Sequence, residues 1–453
     1  MPFGTFSLAA SQFNHDIALT FDSTPILLFF GVPIPGITVQ PQSYDTTMVE
    51  LRFASAFEGP VNFVSGLYYQ KDENDFDVHV STTDGFGNAV PWDPLNANDA
   101  LVSTGTAFFG RFRKDEIEQG ALFGEVTWDF MERWQLLAGF RWFGSSLESR
   151  QATTHAFAPS GPSPAAGVVV GTTVNGNAIG LLEQSDDTIR PKASLSFQWT
   201  EEVLFYALYS EGFRTGGVNN GNQPFAPGIP ATYASDELQN VEFGIKSRWL
   251  ERRLQANATV FFIDWDNIQV EPRDPAGNIP FTTNGGAAEV NGLEWSIEAL
   301  LTDELTLSFG GTHFFDHELT ETQPVLPGAS PFVIVGREGD EIPNTPDTQL
   351  YASLRWDTLV WTRAASFLVD LNYRGKTNTE FVPTSPFNIE LDSYTVVNLF
   401  ANVQIDQHFS VGLYAKNVTD ELAVYDGIGT FQDPQAIVAN RPRTLGFNVR
   451  WQY

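Results

Sequence analysis

The sequence predicts an all-β chain, folded as an antiparallel transmembrane β-barrel of the outer-membrane type. Three observations carry this. Apolar and polar residues alternate at period two through many segments of about eight to ten residues, the mark of strands with two chemically different faces. Short polar joints alternate along the chain with long loops rich in Gly, Pro and Asn, so each hairpin is tight at one end and loose at the other. The apolar faces are rich in aromatics and free of charge, and the strands approach the 9–11 residues that cross a bilayer when tilted.

The elements follow in order. GTFSLAASQFNHDIALTFD (4–22) reads as one strand, followed by a long loop to 45. A strand over 46–57 turns at FEGP (57–60) into VNFVSGLYYQ. Past a loop over about 75–116, Leu122, Val126, Trp128 and Phe130 alternate with Glu125, Thr127 and Asp129. MERW (131–134) returns the chain into Trp134, Leu136, Ala138, Phe140 and Trp142, set against Gln135 and Arg141. A loop over about 150–186 and the joint TEE (200–202) precede VLFYALYS. Val241, Phe243, Ile245 and Trp249 oppose Glu242, Lys246 and Arg248. After LERR (250–253), Leu254, Ala256, Ala258, Val260 and Phe262 oppose Gln255, Asn257 and Thr259. Leu293, Trp295, Ile297 and Ala299 oppose Glu294, Ser296 and Glu298 before the joint TDEL (302–305). DTLVWTR (357–363) and DQH (406–408) join the later hairpins. The chain ends on Leu445, Phe447, Val449 and Trp451, with Asn448, Arg450 and Gln452 between them and Tyr453 placed at an interfacial aromatic girdle. Counting back gives about 15 strands to 46–57, and 4–22 adds one.

Composition agrees. The 38 Phe, 11 Trp and 12 Tyr suit pleated surfaces. A net charge of −30 repels phosphate backbones and excludes nucleic acid as a partner. With no cysteine there is no disulfide, thiol nucleophile or Cys metal site. No apolar run approaches the roughly 20 residues of a transmembrane helix. The start, MPFGTFSLAASQFNHD, lacks the basic n-region and apolar core of a secretory signal. A soluble β-sandwich produces the same alternation turned inside out and stays open at this level.

Local motifs offer little chemistry. His313 and His317 in THFFDHELT lie on a strand, about 13 Å apart at ~3.3 Å per residue. They cannot share an ion at ~2.0–2.1 Å unless the strand ends between them, so they read as a polar rim. KDENDFD (71–77) lacks the offsets of a calcium loop and reads as a solvated acidic loop. EGFRTGG (211–217) lacks the order of a phosphate loop. NVT (417–419) matches a glycosylation sequon but is better explained as part of a barrel-strand motif. No Ser/His/Asp set is tied by a motif, and Glu201 and Glu202 sit in a turn, so the chain is not expected to be an enzyme and no cofactor or metal is implied. Candidate substrate-loop or lumen contacts are Tyr209, Glu211, Arg214, His313, His317 and Arg374. Glu125, Asp129, Arg141, Glu242, Lys246, Arg248, Glu294, Glu298, Asp370, Arg374, Lys416 and Arg450 are expected to face one lumen.

The segments VLFYALYSEGFRTGGVN (203–219), the hairpin ATYASDELQNVEFGIKSRWLERRLQANATVFFIDWDNIQV (231–270), LYAKNVTDELAVYD (413–426) and RPRTLGFNVRWQY (441–453), with upstream hairpins at 49–72 and 121–142, together resemble the C-terminal barrel of TonB-dependent outer-membrane receptors. The resemblance covers most of 45–453. It implies about 16 strands of a family barrel of 22, in which 1–45 holds a remnant strand and long loop and 46–453 is the C-terminal part of the barrel. The plug, the TonB box and the first strands have no counterpart in the sequence, so a fragment, a truncated gene product or a reduced paralogue is expected. The resemblance further implies the cell outer membrane of a Gram-negative bacterium, with lipid and lipopolysaccharide around the wall. The implied cargo is a scarce nutrient such as a ferric siderophore, and TonB coupling requires that a plug be supplied. A passive pore or orphan barrel, and a secreted soluble β-rich binding protein, are the alternatives.

Overall fold

Backbone N–H and C=O groups surrounded by apolar matter must pair with one another, and a strand between two neighbours meets that demand. In a computed structural model the chain does so through one antiparallel meander. The structure describes residues 3–29, 35–83, 86, 89–90, 107–155, 180–219, 229–274, 279–324, 336–385, 387–427 and 436–452. Among the described residues the main sheet has seventeen strands, one of which is the two-residue Ala89–Val90, leaving sixteen that build the wall. These are β1 (Gly4–Asp22), β2 (Gly36–Ser55), β3 (Val61–Thr83), β4 (Ala107–Met131), β5 (Trp134–His155), β6 (Gly180–Thr200), β7 (Val203–Arg214) and β8 (Asp236–Trp249). The rest are β9 (Leu254–Asp266), β10 (Ala288–Leu300), β11 (Leu305–Leu319), β12 (Thr348–Val360), β13 (Arg363–Arg374), β14 (Tyr394–Gln404), β15 (Phe409–Lys416) and β16 (Thr444–Trp451). Each pairs antiparallel with the next in sequence. Among the described residues β1 ladders only to β2 and β16 only to β15, so these are the two edges.

The alternation of joints is as the sequence indicated. At one rim the strands meet in short turns, such as Glu132–Arg133 and Glu201–Glu202. At the other rim the connections are long. The boundary at 45 does not survive, because it falls inside β2, which ladders to β1 from Gly4↔Ser55 to Asp22↔Ile37. The connection there is only 23–35 and includes a short helix, Thr24–Phe29.

KDENDFD is not a loop either. It lies within β3, which with β4 runs far past the bilayer-spanning length: β4 has 25 residues, about 80 Å at ~3.3 Å each. Outward-facing charges tie the extension together. Lys71 Nζ lies 3.0 Å from Glu73 and 2.7 Å from Glu116, and Lys114 Nζ lies 3.3 Å from Asp75. Hydrogen bonding to Glu116, then to Glu73, holds the Lys71 ammonium above its ordinary value. The period-two contrast fades here because both faces are wet, while the backbone ladder continues.

Below this level the outer face is apolar. Leu67 is 56 % exposed, Leu8 72 % and Phe447 72 %, and the residues paired across from them on the same face, Leu51, Leu122 and Leu413, are apolar as well. Trp128, Trp199, Trp249, Trp356, Trp361 and Trp451 stand exposed near the short-turn rim, forming an aromatic girdle. Tyr453, placed in that girdle from sequence, lies outside the described residues. The inner face carries Glu125, Arg141, Glu242, Lys246, Glu294, Glu298, Asp370 and Arg374 in register across the strands.

The Trp361–Thr362 turn between β12 and β13 is strained. Its φ values are 48° and 71°, the left-handed pair of a tight hairpin that favours Asn-Gly. Thr362→Gly should raise the unfolding free energy in lipid by about 1 kcal/mol, since a non-glycine residue there costs ~1–2 kcal/mol. Urea unfolding in vesicles measures it.

Candidate functional site

Polar side chains on the inner wall and folded loops at the long-loop rim make up the candidate site. Described loop segments dock at the rim through their own apolar anchors. Ile268, Val270, Ala288 and Leu319 are buried together, with Trp265, Ile342 and Phe381 packed against them.

Asp236, at the start of β8, is 1 % exposed and accepts four sets of hydrogen bonds. They come from Arg214 N at 3.1 Å and Nε at 2.9 Å, Trp265 Nε1 at 3.0 Å and Gln269 N at 3.0 Å. The Arg214 guanidinium lies 4.8 Å from the Trp265 ring centroid and donates to Gln269 O at 3.2 Å. Arg214 therefore fastens the end of β7 to the loop after β9, with about half of its side chain still exposed.

Tyr209 and Glu211 come together: the phenol donates to Glu211 Oε1 at 2.5 Å. Glu211 Oε2 also accepts from Arg190 at 3.3 Å, and Arg190 donates to Glu237 Oε2 at 3.0 Å. This clasp sits where the β6–β7 ladder stops at Lys192↔Ser210, next to Pro191, which has no N–H to continue it. β5–β6 and β7–β8 continue on either side. Hydrogen bonding from Arg190 holds the Glu237 carboxyl below its ordinary range. A lowered carboxyl stabilises above its unfolded pKa, and the contribution is lost as pH falls through the lower folded value. This seam should therefore keep its hydrogen-exchange protection at mildly acidic pH and lose it only below the ordinary carboxylate range.

His313 and His317 meet one residue but do not converge on an ion. His313 Nδ1 lies 3.1 Å from Asp347 O and 2.9 Å from Thr348 Oγ1, while His317 Nε2 lies 2.9 Å from Asp347 Oδ1. A bulge at Phe315 shifts the β10–β11 register between Asn291 and Gly292. It turns His317 to the face opposite that of His313. His317 is buried and His313 exposed. Among the described residues no group of three or more His, Asp or Glu side chains comes together as a metal site.

Arg374 lines an inner-wall cavity of about 540 Å³, with Asn257, Thr259, Glu294, Gln349 and Asn372 among its walls. Its guanidinium donates to Tyr425 O at 2.9 Å and Asn344 O at 2.8 Å, so it also pins two loops to the wall. The six candidates thus occupy separate clusters along the rim.

Sequence reasoning missed Asp236 and Asp347, and singled out Asn417 only as part of a motif, without its bracing role. The signal for Asn417 lay in NVTD. Asn417 is 3 % exposed, has φ 51°, and its Nδ2 donates to Glu421 O at 2.9 Å and Arg441 O at 3.2 Å. Asp420 accepts from Arg443 N at 2.7 Å. The element is a brace between β15 and the segment before β16, and its amide is committed to the backbone rather than free as a sequon.

A family model described as TonB dependent receptor-like, beta-barrel, matches residues 5–418. A probable TonB-dependent siderophore receptor, PiuA of Acinetobacter baumannii, is 24 % identical over 249 residues, covering 53 % of this chain and 31 % of that protein. The ferric yersiniabactin uptake receptor FyuA of Yersinia pestis shares the fold with a TM-score of 0.72 at 15 % identity, over 99 % of this chain and 58 % of FyuA. The copper transporter OprC matches with a TM-score of 0.65 at 12 % identity, over 98 % of this chain and 62 % of its own. The chain thus spans under two thirds of these relatives' lengths.

Proposed function

This chain belongs to the TonB-dependent receptor-like β-barrel family, and on that premise we propose that it is the barrel portion of an outer-membrane receptor that takes up a ferric siderophore or a comparable scarce, bulky nutrient. The family is one of receptors and transporters, not enzymes. The observation that carries the reading is the wall itself: an exposed apolar outer belt bounded by Trp on one side and charge on the other, around a polar inner face with a cavity at Arg374. In this reading the belt sits in outer-membrane lipid, and the charged extension of β3–β5 stands against lipopolysaccharide. The long-loop rim, with Tyr209, Glu211, Arg214, His313, His317 and Arg374, faces the cargo outside. Energy comes from the TonB system through a plug.

The test is uptake of radiolabelled iron from a panel of ferric siderophores in an iron-starved Gram-negative strain, with the reading frame intact or disrupted and TonB active or inactivated. A TonB-dependent loss of uptake for one siderophore class is expected on disruption. Unchanged uptake of every complex would overturn the cargo assignment, and ion conductance of the purified chain in planar bilayers would instead support a passive pore.

A further inference from the structure

The ladder registers place a line of cations across the inner wall. Arg52 on β2 pairs with Gly66 on β3, Gly66 with Phe123 on β4, Phe123 with Arg141 on β5, and Arg141 with Arg190 on β6. The level above holds Glu50, Tyr68, Ala121, Phe143 and Thr188. The level below holds Ala54, Val64, Glu125, Gly139 and Lys192. Like charges directly opposite each other destabilise a sheet, and Arg141 stands opposite Arg190.

The surrounding charges are mostly spoken for. Arg190 is held by Glu211 and Glu237, and Glu125 lies 3.3 Å from Lys192 across Gly139. Among the described residues neither Arg52 nor Arg141 has a carboxylate within ion-pair distance, and Glu50 on the level above pairs with neither. This is notable in a chain with 55 acidic residues against 25 basic ones. Arg141 is supported instead by π faces, with Tyr68 at 5.6 Å, Phe123 at 5.9 Å and Phe143 at 6.0 Å from its guanidinium carbon. Ring faces orient a guanidinium without neutralising it, and its N–H donors stay open. Gly66 completes the layout, because any side chain there would run into the Phe123 ring. That ring therefore lies between two exposed arginines whose backbones are about 14 Å apart, three strand spacings of ~4.8 Å.

We infer that Arg52 and Arg141, with the Phe123 ring between them, form an anion-binding site on the inner wall for an oxyanion carried on a flat organic group. The guanidinium forks take the oxyanion and the ring takes the flat group. The site stands on wall geometry alone and holds whether or not the uptake reading does. It is also distinct from the cavity at Arg374, which lies across β9–β14.

The test is equilibrium dialysis of the full chain in detergent against labelled phthalate, with micelle-only blanks, and with inorganic phosphate as the ringless oxyanion. Phthalate should bind more tightly than phosphate, and binding should weaken with added salt. Arg52→Gln and Arg141→Gln should each weaken phthalate by about tenfold. Arg141→Lys should restore part of the loss. Arg355→Gln should change nothing, because Asp357 already takes that charge at 2.8 Å. Heat-modifiable gel migration confirms that each variant is folded. Phthalate binding unchanged in a folded double Arg→Gln variant would overturn the site, and equal affinity for phosphate and phthalate would overturn the role of the ring.

Discussion

Val260→Arg should destabilise the assembled wall by about 2–4 kcal/mol, the cost of an arginine at the lipid midplane of a barrel. Val260 lies mid-strand on β9, between Phe243 of β8 and Leu293 of β10, which are both apolar and share the outer face. Asn257, three residues earlier, faces the other way. Its amide donates to Ser296 Oγ at 3.2 Å, and it lines the inner cavity near Glu294. Asn257→Arg should therefore cost well under 1 kcal/mol, since its guanidinium meets water and carboxylates rather than hydrocarbon. Urea unfolding of both variants in lipid vesicles separates them. Equal losses would mean that the two faces of β9 are assigned the wrong way round.

Asp236→Ala should have the second large effect, and a local one. The substitution strips the acceptor from Arg214, Trp265 Nε1 and the backbone N–H of Gln269 at once. Buried donors left unsatisfied cost ~1–3 kcal/mol each. Arg214 can turn to water, so about 3 kcal/mol is expected in total. The loss should appear as faster hydrogen exchange and proteolysis in the loops after β7 and β9, with the wall strands protected as before. Asp236→Asn should be intermediate, because an amide offers one acceptor where the carboxylate offers two. Wild-type protection of those loops in Asp236→Ala would show that the Ile268–Leu319 cluster alone holds them.

The wall was legible from sequence wherever its two faces meet different solvents. In β9 and β16 the lipid side demands apolar residues and the lumen tolerates polar ones, so Leu254–Phe262 and Leu445–Trp451 carry the period openly. Where both faces are wet the period disappears although the strand does not. That is why Lys71–Asp77 resembled a loop, and why residues before 46 resembled a connection. The candidate site was legible only as a set of residue types. Its geometry depends on a single extra residue at Phe315 that turns His317 inward, and on a proline at 191 that opens the seam filled by Arg190.

By itself the sequence determined the architecture: hairpins tight at one rim and loose at the other, a charge-free aromatic belt, and a family resemblance spread along the strands. These are properties of local period and composition, and the chain carries them without reference to its fold. Only the tertiary structure decided which charges are already partnered and which stand open. Arg52, Arg141 and Arg190 are 89 and 49 residues apart in the chain, yet the ladders set them in one row. Strand register, which sums small offsets over many hairpins, settles such neighbours, and no local pattern in the sequence records that sum.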